Sequence, residues 1–139
     1  MRKAMKFVMA ILVAVVFGSP VYALEVGDLV RFPTDSSFGC SLIDDARQAT
    51  AHVARYGSSK ESSYVFIKPI FDASLRRPAN APIPKRLCDF FFEGVVLEYR
   101  VLKQSDDGYV CLTHRGGYWE GRCLWVNLSI WNVQTTPNR

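Results

Sequence analysis

Four cysteines constrain the fold of this 139-residue chain more than any other feature, and they lie at Cys40, Cys88, Cys111 and Cys123. No two of them have the C-x-x-C spacing of thioredoxin-like redox sites, and neither His52 nor His114 completes a zinc-finger pattern. An even number of cysteines in a short exported chain is typical of two disulfide bonds. We therefore expect bridges rather than a metal site or a redox centre.

Cys111 and Cys123 lie on two apolar segments that are separated by a glycine-rich stretch. Four cysteines allow three pairings, but a hairpin folded about residue 117 would bring these two sulfur atoms face to face. The preferred pairing is therefore Cys111–Cys123 and Cys40–Cys88. The second bridge closes the longer loop, and by chain entropy it stabilises the fold by about 4 kcal/mol.

The first 23 residues predict the compartment in which those bridges form. Three cationic side chains precede an unbroken apolar run at 7–17, and helix-breaking residues follow at 18–20. Val21 and Ala23 then offer small side chains before a cleavage point, so the whole order predicts a secretory signal peptide. A membrane-spanning helix needs about 20 apolar residues, and this run is too short to act as an anchor.

Residues 24–139 are then expected to form a single, monomeric domain that is periplasmic or secreted. Three of the 17 Lys and Arg residues lie in the predicted signal and all 13 Asp and Glu residues follow it, so the net charge of the exported part is about +1. Nucleic acid is not an expected partner, because such binding needs a clustered basic surface. Arg76 and Arg77, with Lys85 and Arg86 nearby, favour a solvated loop, and the first two are kept as candidate binding residues.

Hydrophobic periodicity predicts a mainly β chain with one helix. The helix is expected at 41–56, capped by Ser41 and ended by Gly57, while 58–63 is a polar segment and 72–86 an irregular loop. An Asp-Gly turn at 105–108 predicts a hairpin. Strands are expected at 24–32, 64–67, 94–102, 109–114, 123–128 and 130–133. The last strands form a meander that the first strand closes into a small barrel.

Three segments resemble strands of bacterial SH3-like barrels, in particular small uncharacterised exported proteins of that type. They are Val26-Gly27-Asp28-Leu29-Val30, Tyr109-Val110-Cys111-Leu112 and Cys123-Leu124-Trp125-Val126. The resemblance covers the two ends of the exported part, leaves 57–92 unmatched, and departs from the family where the helix follows the first strand. It implies a small SH3-like antiparallel barrel stapled by two disulfides, and it implies no activity.

Candidate catalytic groups in the sequence have simpler structural interpretations. The adjacent acids Asp44-Asp45 suit the start of a helix, and Asp106-Asp107 suits a turn. His52 has no carboxylate one helical turn away. With the cysteines paired, we expect neither a catalytic set nor a cofactor.

Tyr118 and Trp119 are the main candidate binding residues, because they lie in a glycine-rich loop at 115–121 with little apolar cover. The competing interpretation is that Trp119 folds back to cap the barrel. The sequence thus favours an exported, non-enzymatic binding module of the bacterial envelope with a protein or cell-wall partner. The alternatives are a periplasmic inhibitor or immunity-type protein, which would insert the loop at 115–121 or 72–86, and a small hydrolase.

Processing gives the first testable prediction. We expect the exported protein to begin at Leu24, because Ala23 fits the position before the cut and Pro20 breaks the apolar helix. The intact mass of the protein exported by its native host measures this. Retention of residues 1–23 in a membrane fraction would contradict it.

Overall fold

Seven short strands form one antiparallel sheet in the computed structural model, which describes residues 24–33, 35–76, 86–91, 98–113 and 123–137. The predicted signal at 1–23 and the predicted strand positions 94–97 lie outside these ranges. In chain order the elements are β1 (Leu29–Arg31), β2 (Phe38–Cys40), α1 (Ile43–Tyr56), α2 (Lys60–Leu75), β3 (Cys88–Phe90), β4 (Glu98–Gln104), β5 (Tyr109–Thr113), β6 (Leu124–Asn127), a 3-10 turn (Leu128–Ile130) and β7 (Gln134–Thr136).

The strands are arranged in the order β3-β2-β6-β5-β4-β1-β7. The predicted meander is present as β4, β5 and β6, and its first hairpin turns at 105–108. Gly108 has a φ of 88° there, which an L side chain rarely adopts, and the Ser105 amide donates to the Tyr109 carbonyl over 2.9 Å. The sequence predicts this turn correctly because the turn depends only on neighbouring residues.

The predicted closed barrel is wrong, because β3 and β7 are the two edges of an open sheet. β1, which closure would have required, pairs with β4 on one side and β7 on the other. The predicted strand at 130–133 is also wrong, since the chain forms the 3-10 turn before β7. The sheet nevertheless curls: Phe32, after β1, and Phe91, after β3, stack with ring centroids 4.6 Å apart.

The core lies on both faces of the curled sheet. Tyr99 and Val101 of β4 are buried with Phe32 and Phe91 on the concave side. Burial also raises the pKa of the Tyr99 phenol, so that side chain remains neutral. On the other face Tyr109 reaches α1, where its hydroxyl donates to Thr50 Oγ1 over 2.8 Å. Since successive residues of a strand point to opposite faces, β5 is buried on both sides.

Helix α1 matches its predicted position, but it begins differently. Ala46, Ala49 and Val53 form its buried face, and Gly57 ends it with a φ of 94°. Ser41 is not the cap, and the helix starts at residue 43 without a side-chain cap. The Ser41 hydroxyl instead accepts the Leu87 amide over 2.8 Å, and the Ser41 amide donates to the Leu87 carbonyl over 2.7 Å. This residue therefore extends the β2–β3 pairing.

The second helix, α2, replaces the predicted strand at 64–67, much of the polar segment at 58–63 and the first part of the predicted loop. Its start is capped by Ser59, whose hydroxyl accepts the Ser62 amide over 3.1 Å. Ser63, Ile67 and Ile70 recur at helical spacing and are buried. Pro69 stands inside the helix and has no amide hydrogen to donate back to the preceding turn, although the helix continues.

Both predicted disulfides are confirmed. Cys40 and Cys88 occupy directly opposite positions of β2 and β3. Cys111 of β5 lies opposite Trp125, so its partner Cys123 is a diagonal neighbour rather than facing it directly. The Cys40–Cys88 bridge thus joins β2 to the edge strand β3, and the Cys111–Cys123 bridge joins β5 to the residue before β6 in the middle of the sheet.

Gly39 gives a stability prediction, because neighbouring atoms leave no room for a Cβ atom at this position. A Cβ atom there would lie 2.5 Å from Phe91 Cζ, 2.9 Å from the Trp125 carbonyl oxygen and 3.0 Å from Leu124 Cβ. We expect Gly39→Ala to lower the free energy of unfolding by about 2–3 kcal/mol, measured by urea denaturation. Phe91→Leu in the Gly39→Ala background should restore part of that loss relative to the sum of the single changes. A Gly39→Ala protein as stable as wild type would show that the strands do not pack this closely.

Candidate functional site

The cysteines have a structural role, which removes them as candidate nucleophiles. All four are bridged, and Cys40, Cys88 and Cys111 are fully buried. In the part of the chain that the structure describes, no three His, Cys, Asp or Glu side chains are grouped to hold a metal ion. None of the described helices is long and apolar enough to cross a membrane.

The structure describes only one of the four predicted binding residues. Arg76 follows the last turn of α2 and is exposed. Arg77, Tyr118 and Trp119 lie outside the described residues, so the loop at 115–121 stays a prediction.

Arg86, which the sequence places beside this basic cluster, is held by a carboxylate. Its guanidinium donates from Nε to Asp45 Oδ2 over 2.9 Å and from Nη2 to Oδ1 over 3.0 Å. The Asp45 side chain is only 7% exposed, and the hydrogen bond to it raises the pKa of Arg86. The pair ties the first turn of α1 to the segment before β3.

Of the two adjacent acids in the β4–β5 turn, Asp107 is also held by hydrogen bonds. Asp107 accepts the Ser105 hydroxyl over 2.5 Å and Arg47 Nε over 3.1 Å, and these two bonds lower the pKa of Asp107. Arg47 also bonds Asp44 over 2.8 Å, so one guanidinium joins the start of α1 to the turn. This arrangement agrees with the structural interpretation of both acid pairs.

His52 is the most suggestive catalytic side chain among the described residues. Its Nε2 lies 2.9 Å from the Ser62 carbonyl oxygen and 3.3 Å from the Ser62 hydroxyl. A carbonyl oxygen can only accept, so Nε2 carries the hydrogen and cannot take a proton from Ser62. The ring also packs at 4.9 Å from Tyr56 and 5.3 Å from Phe66. The contact links the end of α1 to the start of α2.

A groove between the helices, here called the helical groove, has a volume of about 480 Å³. Its lining consists of His52, Tyr56, Ser62, Val65, Phe66 and Pro69. Tyr56 is 60% exposed and Val65 65% exposed, so both present apolar surface to solvent at this groove. The sequence could not show this groove, because four of its six lining residues belong to α2, which the sequence does not predict as a helix.

A second cavity, of about 510 Å³, lies between α2 and the edge strand β3. Tyr64, Phe71 and Phe90 supply much of its apolar lining, and Lys68 and Asp72 form an ion pair of 2.6 Å at its wall. Asp89 also lines it, and its carboxylate accepts the backbone amide of the next residue, Phe90, over 2.8 Å.

A third pocket, here called the turn pocket, combines polar and apolar surface and has a volume of about 570 Å³. It lies where the β4–β5 turn meets the end of β6 and the 3-10 turn. Its lining consists of Leu24, residues 104–110 and residues 127–129. The side chains that face it are mainly amides, hydroxyls and carboxylates.

Comparison of the chain with protein-family models, with curated proteins and with solved structures finds no match. The surfaces and contacts described above are therefore the basis for inferring function.

Replacing Arg86 with Gln should lower the stability of the protein more than replacing Arg76 with Gln. Arg86→Gln leaves the buried Asp45 carboxylate without its bidentate partner. We expect a loss of about 1–2 kcal/mol of unfolding free energy, reduced from the value for a fully buried pair because Arg86 itself is 56% exposed. Arg76→Gln is the matched control and should change stability by less than about 0.5 kcal/mol. If Arg86→Gln and Arg76→Gln changed the unfolding free energy by the same amount in thermal and urea melts, the Arg86–Asp45 contact would not be stabilising.

Proposed function

We propose that this chain is an exported, non-enzymatic binding module of the bacterial envelope, with a protein or cell-wall partner. A relation to exported SH3-like proteins is part of the proposal, in the form of a curled open sheet rather than a closed barrel. The observation that carries the proposal is the set of large apolar side chains exposed on the helices: Tyr56, Tyr64 and Val65.

The two disulfides support the exported location. Bridges of this kind persist in oxidising compartments, and the first 23 residues of the sequence predict an export signal. The first bridge also fixes an edge strand of only three residues, which on its own would pair weakly.

The exposed apolar side chains support a binding role, because contiguous apolar surface on a soluble protein commonly marks an interaction site. Tyr56 and Val65 line the helical groove, and Tyr64 lines the neighbouring cavity between α2 and β3. Aromatic rings on a rigid base are effective anchors for a partner. The base is rigid because α1 is bonded to the sheet at Thr50 and to the chain before β3 at Asp45.

The contacts of His52 give no support to the hydrolase alternative. Hydrolysis by a serine nucleophile needs a base whose nitrogen lone pair faces the hydroxyl. In His52 the nitrogen nearest Ser62 donates instead to a carbonyl oxygen. The contact is better explained as a tie between the helices than as a catalytic pair.

Selective loss of binding tests the proposal. The protein is cross-linked in envelope extract of its host, and the captured partner is quantified for wild type and for Tyr56→Ser/Val65→Ser. We expect at least about a tenfold loss of capture, with a melting temperature within a few degrees of wild type. Leu102→Ser removes a similar apolar side chain from β4, away from the helices, and should retain capture.

Equal capture by wild type and by Tyr56→Ser/Val65→Ser would contradict a binding role for the helical groove. The identity of the captured molecule also decides between the proposal and its nearest alternative. An enzyme whose activity falls on binding would identify an inhibitor or immunity-type protein instead of a general binding module.

A further inference from the structure

We propose that the turn pocket is a binding site for a sugar unit that is uncharged or carries an amine. The inference deepens the cell-wall branch of the proposed function and rests on it for the location of the protein. Three properties of the pocket favour such a ligand: oriented amides, one carboxylate without an ion pair to any described residue, and an apolar side.

Two amide side chains in the turn pocket are held in fixed orientations. The Asn127 Oδ1 atom accepts both the amide of Ser129, over 3.0 Å, and its hydroxyl, over 2.6 Å. With the oxygen used in this way, the two Nδ2 hydrogens are left as donors. At the other side of the pocket, Gln104 donates from Nε2 to the Leu24 carbonyl, which leaves its Oε1 as an acceptor. A ligand with hydroxyl groups can donate to one amide and accept from the other.

The two carboxylates of the turn differ in what they already bind. Asp107 is bonded to Ser105 and to Arg47, whose guanidinium also pairs with Asp44. Asp106 lines the same pocket, is exposed, and forms no ion pair with any described residue. The carboxylates at the pocket and beside it therefore carry more negative charge than Arg47 compensates. That charge disfavours phosphate and carboxylate ligands and favours hydroxyl or ammonium donors, which form strong bonds to a carboxylate.

Apolar atoms line part of the same pocket. Leu24, Val110 and Leu128 contribute to the wall beside the polar groups. A sugar ring has hydroxyl groups at its rim and C–H groups on its face, so it can use both parts of such a pocket. A metal ion would need several uncommitted carboxylates or imidazoles, and of the described residues only Asp106 offers one here.

Titration with defined saccharides tests the inference. The full-length gene is expressed, the exported product is purified, and its amide chemical shifts are followed by NMR as chitotriose, glucosamine or maltotriose is added to about 20 mM. We expect saturable shifts confined to residues 104–110 and 127–129 for at least one of these probes. Trigalacturonate, a sugar of similar size that carries carboxylates, should bind at least about tenfold more weakly.

Two nearly isosteric substitutions locate the contact. Asp106→Asn removes the free charge, and Asn127→Asp keeps the oxygen that accepts from Ser129 while removing the amide donors. Each should weaken the binding of the uncharged saccharides, chitotriose and maltotriose, by about tenfold. Glu61→Gln makes the same charge change as Asp106→Asn on α2 and should leave the affinity unchanged.

The inference is overturned if none of the three saccharides produces saturable shifts, or if the shifts map to residues 52–69 of the helical surface. Equal affinity in wild type, Asp106→Asn and Asn127→Asp would also overturn it. The titration uses the purified protein alone, so its failure is distinct from a failure of partner capture. Partner capture that depends on Tyr56 and Val65 would still support the proposed function if the sugar site is absent.

Discussion

The Cys40–Cys88 bridge is the constraint on which the other contacts of this fold depend. It joins two strands of three residues each, at directly opposite positions, where backbone pairing alone would be weak. The residues beside it extend the connection, since Leu87 bonds Ser41 and Arg86 bonds the buried carboxylate of Asp45. One covalent link and its neighbours therefore fix both the edge of the sheet and the place where α1 begins.

The two helices cover one face of the sheet, and they also expose apolar side chains to solvent. α1 is bonded to the sheet through Thr50 and to α2 through His52. These two contacts fix the position of the helical groove. The turn pocket is formed by the β4–β5 turn and the end of β6, and Arg47 joins that turn to the start of α1. An apolar groove and a pocket that combines polar and apolar groups thus lie on different parts of the same small scaffold.

Local sequence signals were sufficient for some of this structure and insufficient for the rest. The Asp-Gly turn, the Gly57 helix end and the Cys111–Cys123 pair were predictable because each depends on a few neighbouring residues. α2 was not, because Pro69 and the short apolar run before it favoured a strand, whereas the burial of Ser63, Ile67 and Ile70 decides for a helix. The open sheet was also missed, since the pairing of β1 with β7 joins distant parts of the chain. Both the helical groove and the turn pocket depend on such distant contacts.

The position of β3 at the edge of the sheet has a further consequence. The Phe91 amide and the Leu87 carbonyl bond toward β2, so in an extended strand the amide of Phe90 points away from the sheet. Asp89 occupies that amide with its own carboxylate. A second strand approaching this edge therefore meets an amide that is already bonded. The side chain of one residue thereby removes a backbone donor through which the edge strands of two copies could pair.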